Sequence, residues 1–482
     1  MPDDVTLIGL DFGTTTSSAV VATTNLAHSA VSGRMELSQV RERYRSEMVF
    51  TPLDEDDRLD EQQVEKLLDS WLAAGDVRAE DLFGGGALLT GLTAQKQNAS
   101  ALVRMIRRRL GDALIATADD PRLESWLAFM GSCGGLSRAQ PTQAILNLDV
   151  GGGTTNLALG INGQVLRTGC LFVGARHVQV VPGSYRIVTL SRYARALLDH
   201  LGIGRSDGDS LTDGEVQAIL DFYIALLEAT ATGEPPVATG CHEAALAHLH
   251  TQVAFCRPPN CTDVAMTFSG GVGELIYGHV HERPWPSTTH FGDLGIDLAQ
   301  RIVGSSVFAG HLRKYRPASA GRATVYGLLR HSTEVSGSTL FLPRPEVLPL
   351  TDVPIFGSLN SNSADDRIRD VIELVRHSAR GGCVQVALGT HEAAAVRALG
   401  ERIAGALRAA AFPAGHPLVL LMQENLGKVL GQYITQWGTL PLNLVVIDEV
   451  PLRDAQYVQI GTPRSLVVPV SFYGLNEQGD TP

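Results

Sequence analysis

Two aspartates carry the chemistry that this chain's residue types and spacing suggest. Asp11 ends the apolar run "LIGLD" and is followed by Gly13 and the hydroxyl row Thr14, Thr15, Thr16 and Ser17. Asp149 ends "AILNLD" and is followed by Gly151, Gly152, Gly153, Thr154 and Thr155. Glycines in a turn leave backbone N–H groups that no strand ladder uses and let the backbone come close to a ligand. Threonine hydroxyls add donors, so each turn suits phosphate oxygens. An aspartate in front of such a turn repels phosphate but can hold Mg²⁺ through the ion's water shell. Mg²⁺ keeps several waters and takes only one or two carboxylates beside substrate phosphate. Two such turns facing each other would grip a polyphosphate from both sides. A third apolar run, "DVAMTFSGGVGE", meets Gly270, Gly271 and Gly273 and then turns helical, and its strand end would take a nucleoside. A single Gly-Thr hairpin is common; the repetition of the pattern carries the signal.

The elements that must position these residues follow from the same repetition. Apolar strand, acid, Gly-Thr turn and apolar strand occur twice, which predicts two similar α/β halves, each opening with a hairpin. "EQQVEKLLDSWLAAG" and "ASALVRMIRRRLG" carry apolar residues at 3–4 spacing and end in glycine, as helices do. The run Arg107–Arg109 in the second reads as a solvated helix face. Past residue 330 the texture changes: Pro343, Pro345, Pro349 and Pro354 precede the polar stretch "GSLNSNSADD". This predicts a first half over residues 1–143, a second over 144–340, a boundary over 341–366 and a C-terminal α/β domain over 367–482.

Composition narrows the partners. The 482-residue chain carries 39 Lys and Arg against 51 Asp and Glu, a net charge of -12, which argues against a nucleic-acid backbone or an anionic membrane as the main partner. Six scattered cysteines make no disulfide framework and point to a reducing compartment. The N-terminus lacks a signal-peptide pattern and no apolar stretch reaches a membrane span, so the expected location is the cytoplasm. His242, His248 and His250 with Cys256 and Cys261 lack familiar zinc spacing and read as a surface helix before a Pro-rich loop. Cys133 and Cys170 read as core residues, and Lys96 as a surface lysine.

The order Asp11-x-Gly-Thr-Thr, Asp149-x-Gly-Gly-Gly-Thr-Thr, Gly270-Gly271 resembles the phosphate-1, phosphate-2 and adenosine motifs of the actin, Hsp70 and sugar-kinase superfold. That resemblance implies an α/β fold in which two RNase H-like halves enclose Mg-ATP, here with an added C-terminal α/β portion. It implies that Glu124, on a connecting helix "LESWLAFMGSCGG", helps position an attacking water, and that Glu274 contacts adenosine or ribose. Further blocks resemble the ethanolamine ammonia-lyase reactivating factor family, EutA. They are "LLTGLTAQKQNA", "TFSGGVGELIYG", "RATVYGLLRHSTEVSGSTL", "ENLGKVLGQYI" and "YVQIGTP", in order along nearly the whole chain. The chain departs from the family pattern at Leu92, Ala175, Leu328 and Gln459, and Asn156 stands where Hsp70 has an acid. The resemblance implies a low-turnover, Mg-dependent ATPase that exchanges damaged cobalamin for intact adenosylcobalamin on the client lyase. A homodimer and association with a bacterial microcompartment are compatible with it. The alternatives are a diol or glycerol dehydratase reactivase, an actin-like filament protein and a sugar kinase.

Overall fold

A computed structural model describes residues 3–29, 34–54, 58–91, 93, 97–111, 115–118, 120–234, 241–258, 261, 263–464 and 466–475. The first sheet has the order Met35–Arg45, Thr16–His28, Asp3–Phe12, Leu82–Leu89, Ile115–Ala118. Its first three strands are antiparallel and the last two run parallel to Asp3–Phe12. The parallel strands need crossovers. The helices Glu61–Ala74 and Ala99–Leu110 supply them, burying Val64, Leu68 and Trp71 and Leu102 and Ile106 against the sheet.

The second sheet repeats the plan. Its order is Thr251–Val253, Gln164–Leu171, Thr155–Ile161, Ala144–Val150, Val264–Ser269, with the last strand parallel to Ala144–Val150. Asp11 opposes Ser18 in the first hairpin and Asp149 opposes Asn156 in the second, so both aspartates stand at the same end of equivalent strands.

Two helices tie the lobes together. Pro121–Ser132 leaves the first lobe and packs Phe129 against Ile145, Ala158 and Ala265 of the second sheet. Ala323–His331 leaves the second lobe and packs Val325, Tyr326 and Leu329 against Val5, Leu7 and Val20 of the first. They cross at glycines, backbone against backbone. A Cβ on Gly131 would lie 2.0 Å from the Ala323 carbonyl oxygen, and one on Gly327 2.1 Å from that of Leu127.

The C-terminal sheet has the order Thr333–Val335, Pro469–Leu475, Ala455–Ile460, Leu350–Asn360, Gly382–Ala387, Pro417–Met422, Asn443–Ile447. The last four strands are parallel, with Asp365–His377, Ala393–Ala409 and Gly427–Ile434 as crossovers. The predicted boundary over 341–366 is therefore corrected: Leu350–Asn360 is a central strand. Pro354 pairs with Tyr457 between two register irregularities, Leu350/Val353 and Ile355/Ser358, just ahead of Ile355, where the parallel pairing begins. Residues 333–335, assigned to the second half, pair instead with Pro469–Ser471.

Arg107 also departs from the solvated-face reading. It forms a 2.8 Å, half-buried ion pair with Asp352 of the C-terminal domain, whereas the exposed Arg109 meets Glu65 and Asp69 at 3.0 Å. Among the described residues no helix is long and apolar enough to cross a membrane.

Candidate nucleotide site

Both hairpin turns are closed the same way. Gly13 N–H donates to the Thr16 carbonyl at 3.0 Å and Gly151 N–H to that of Thr154 at 2.9 Å. The first turn is braced by hydroxyls, since Thr51 and Thr93 both donate to the Gly13 carbonyl, at 2.6 and 2.9 Å. The second is braced by backbone, from Ala175 N–H to the Gly151 carbonyl at 3.0 Å and Arg176 N–H to that of Gly152 at 2.6 Å. The turns meet across a cleft of about 410 Å³ between the lobes. They approach so closely that a Cβ on Gly152 would lie 2.1 Å from Thr15 Oγ1. That hydroxyl is buried with no hydrogen-bond partner among the described residues.

The cleft brings together Asp11, Gly13, Thr14, Thr15, Thr16, Glu124, Asp149, Gly151, Gly152, Thr154, Gly270, Gly271 and Glu274. Two sequence-predicted residues do not line it. Thr155 starts the return strand and its hydroxyl donates to the Val173 carbonyl at 2.8 Å, away from the cleft. Gly153 is buried behind the turn, its backbone against that of Gly174. The turn closes at Thr154, so strand alternation sends Thr155 into the core. Lys96 and Leu92 lie outside the described residues. Ala175 is a cleft-wall residue and Leu328 is buried in the crossing helix. Cys133 and Cys170 are buried, and so is His250, against the surface reading; its Nδ1 pairs with the Leu246 carbonyl at 2.9 Å. The side chain of His242 lies outside the described residues.

Three acids converge at the back of the cleft. Thr90 Oγ1 donates to Asp11 at 3.0 Å, and Ser269 Oγ to Asp149 at 2.5 Å. Asn156 and the Gly91 N–H hold Glu124. Burial pushes Asp11 up to about 7, opposed by the Thr90 hydrogen bond and reinforced by the charge of Asp149. Burial pushes Asp149 up to about 6 against the Ser269 hydrogen bond. Burial, then Asp11 and Asp149, hold Glu124 well above the ordinary carboxylate range. Among the described residues none of the three has a salt-bridge partner. Nor, among those residues, do three His, Cys, Asp or Glu side chains stand close enough to ligate one ion directly.

At the other end, Gly270 opens the helix Gly270–Val280 at φ 79°, where a Cβ would lie 2.4 Å from the Val150 carbonyl oxygen. Only glycine lets this helix N-terminus come so close to the Asp149 strand. Glu274 lies one turn on, against Gly321, and the cleft continues past Arg322 to Trp285, which stacks on His279 at 4.4 Å.

Sequence reasoning missed Thr90, Gly91, Asp293, Trp285 and Arg322, all cleft residues. The repeat could have found the first two. Leu89-Thr90-Gly91 ends the fourth strand of its sheet as Ser269-Gly270-Gly271 ends the equivalent strand of the other. The two hydroxyls make the same bond to the two aspartates.

Two sheets of like topology, joined by crossed helices around paired Asp-Gly-Thr turns, define a two-lobed α/β protein with the fold of the actin and Hsp70 type. The chain belongs to the family described as ethanolamine utilisation protein EutA, whose model matches residues 3–476. It is 29% identical over 490 residues, 97% of each chain, to the ethanolamine ammonia-lyase reactivase EutA of Salmonella typhimurium. It is 29% identical over 485 residues, again 97% of each, to that of Escherichia coli. Among solved structures, a PPX-GPPA enzyme of Aquifex aeolicus is similar at 13% identity and a TM-score of 0.33, covering 68% of this chain and 89% of that one. The ethanolamine utilization protein EutJ from Carboxydothermus hydrogenoformans is similar at 12% identity and a TM-score of 0.29, covering 68% of this chain and 90% of that one.

Proposed function

We propose that the protein is an ATP-dependent reactivase of ethanolamine ammonia-lyase, releasing damaged cobalamin from that enzyme so that intact adenosylcobalamin can enter. Similarity to two reactivases over 97% of both chains is the observation that carries the client. The cleft supports the nucleotide. Thr14, Thr15, Thr16 and Thr154, with the backbone of Gly13, Gly151 and Gly152, cradle phosphates, and the unpartnered Thr15 hydroxyl gains an acceptor. Glu274 and the Gly270–Gly271 backbone face the nucleoside.

Buried acids with raised proton affinity and, among the described residues, no basic partner suit a cation, and their spacing suits one held through water. Asp11 and Asp149 would hold Mg²⁺, which when bound neutralises phosphate charge. Glu124, high in proton affinity and held by Asn156 and Gly91, orients water and accepts its proton.

Lobe movement about the crossed helices transmits nucleotide state to the client. A coupling of about 1–3 kcal/mol changes an affinity roughly 5- to 150-fold, enough to loosen the lyase's grip on cobalamin without unfolding it. ADP occupies the same cleft after turnover. A homodimer and residence in a microcompartment belong to the same reading.

The test uses lyase inactivated with cyanocobalamin, incubated with this protein, adenosylcobalamin and Mg²⁺, with and without ATP. ATP-dependent recovery of deaminase activity that fails with Asp11→Ala is expected. Nucleotide binding without recovery would remove the client while keeping the cleft.

A further inference from the structure

Two stretches of sequence take no part in the nucleotide cleft: "STEVSGSTL", residues 332–340, and "ENLGKVLGQYI", residues 424–434. They come together at one edge of the C-terminal sheet. The strands Leu350–Asn360, Gly382–Ala387, Pro417–Met422 and Asn443–Ile447 are parallel, so their C-terminal ends share that edge. Open parallel sheets bind ligands beside such strand ends. Asp448 directly follows the last of these strands, and Glu424 stands two residues beyond Pro417–Met422. The segment that leaves the crossing helix Ala323–His331 reaches the same edge. Gly337 N–H donates to the Asp448 carbonyl at 2.9 Å, and Phe341 pairs with Val446.

Acceptors outnumber donors there. Asp448 is fully buried. Its Oδ2 accepts from the Gly427 N–H at 3.0 Å and from the Thr339 hydroxyl. Its Oδ1 has no hydrogen-bond partner among the described residues. The one Thr339 hydroxyl also faces Asn425 Oδ1 at 2.5 Å, so a single proton serves two acceptors. Asn425 directs its amide to Glu449 Oε1 at 3.2 Å. Glu424 Oε1 accepts from the Gly389 N–H at 2.8 Å, while its Oε2 is buried and, among the described residues, unpartnered. Among those residues no Lys, Arg or His forms an ion pair with Glu424, Asp448 or Glu449.

Two of these carboxylate oxygens converge on one small space. A Cβ on Gly337 would lie 2.5 Å from Asp448 Oδ1 and 2.5 Å from Glu449 Oε2. The absent side chain of Gly337 therefore leaves open the place at which both oxygens aim. Glu449 reaches it from a left-handed backbone, at φ 58°, which a residue with a side chain adopts at a cost. Burial, and then the charge of Glu449, hold Asp448 above the ordinary carboxylate range against the hydrogen bonds from Thr339 and Gly427. Like charges brought together out of water are stable once a cation stands between them. Asn425 is exposed and Glu449 half-buried, so the pair opens to solvent on that side.

We propose that Asp448 Oδ1 and Glu449 Oε2, over Gly337, hold a hard divalent cation, Mg²⁺ or Ca²⁺, at a site separate from the nucleotide cleft. Among the described residues no three His, Cys, Asp or Glu side chains can ligate one ion directly, so the ion takes these two carboxylates and completes its shell with water. The donors are all oxygen, a set that suits Mg²⁺, Ca²⁺ or Mn²⁺ rather than zinc. None of Gly337, Asp448 and Glu449 lines the cleft. Gly337 belongs to the segment leaving the crossing helix, and Asp448 and Glu449 to the end of the sheet. Neutralising the acids therefore tightens that segment against the C-terminal domain. The inference stands apart from the reactivase reading and needs no nucleotide.

The probe is Mn²⁺, titrated without nucleotide into the full-length Asp11→Asn protein, in which the cleft is impaired, and followed by the paramagnetic resonance signal of the unbound ion. Adding Asp448→Asn should remove one bound Mn²⁺ per chain, and adding Glu449→Gln should weaken that ion at least tenfold. Both variants should stay folded by circular dichroism; Glu449, half-buried, keeps the test valid where the buried Asp448→Asn does not fold. Competition by Ca²⁺ and by Mg²⁺ then tells which of the two the site prefers. In hydrogen–deuterium exchange on the wild-type protein, Mn²⁺ should slow amides of residues 336–341 and 425–430 at least threefold, and Glu449→Gln should abolish the change. Mn²⁺ binding that is the same with and without Glu449→Gln, or exchange at 336–341 indifferent to the ion, overturns the proposal. Either result leaves the nucleotide cleft as it stands.

Discussion

Asp149→Asn separates the cost of the acid cluster from its use. Asp149 is buried and its carboxyl is pushed from 3.8 up to about 6. That is about two pH units, or about 3 kcal/mol at about 1.36 kcal/mol per unit. The sign follows from proton binding: the folded state holds this proton more tightly than the unfolded state does. The penalty is absent below about 4, grows as pH rises, and is complete above about 6. Asparagine has nearly the same shape and still accepts from Ser269 Oγ, though as a neutral and weaker acceptor. It also removes a charge that raises Asp11 and Glu124. A net gain of about 1–2 kcal/mol is therefore expected at pH 8 and close to none at pH 4.5, about 2–4 °C in melting temperature per kcal/mol for a lobe of this size. In the same melts, saturating Mg-ATP should raise the wild-type transition by mass action and leave the variant's nearly unmoved. A variant that is less stable by the same amount at both pH values, or that keeps the full Mg-ATP shift, would refute the reasoning.

Other expectations follow from single contacts. Thr15→Val removes a buried hydroxyl that has no partner among the described residues, so it should leave apo stability unchanged or slightly raised while weakening ATP binding about tenfold by calorimetry. Thr155→Val should do the reverse, costing about 1–2 kcal/mol in urea unfolding through the lost bond to Val173, with ATP affinity retained. Gly327→Ala forces a Cβ to 2.1 Å from the Leu127 carbonyl oxygen and should cost about 1–3 kcal/mol while uncoupling ATP hydrolysis from lyase reactivation. Thr90→Val removes the hydroxyl that supports Asp11 and should lower Mg-dependent ATP hydrolysis at pH 7 more than at pH 8.5, where Asp11 is ionised regardless.

The two hairpins were legible because their signal is local: an apolar run, an acid, then residues that only a turn or a ligand explains. Nearly all their residues do meet in one cleft. Thr155 was misassigned because composition shows that a turn contains threonines but not where it closes. The Gly151-to-Thr154 bond closes it one residue earlier. Thr90 is not legible because a single Thr-Gly after a glycine-rich strand is weak without the partner that topology gives it, Asp11. Leu350–Asn360 is hidden by Pro349 and Pro354, which mark breaks in most strands but here stand just before it and between two irregular stretches of its pairing. Trp285, Asp293 and Arg322 come from loops and helix starts whose approach to the cleft is set by packing of distant segments.

The most direct test of the central claim is titration of the wild-type protein with ATP, with Mg²⁺ and with EDTA, beside Asp11→Asn. One nucleotide bound per chain, tight with Mg²⁺ and lost with EDTA or in the variant, is the predicted result. No binding, or binding indifferent to both Mg²⁺ and Asp11, would contradict a cleft built to hold a magnesium–nucleotide complex.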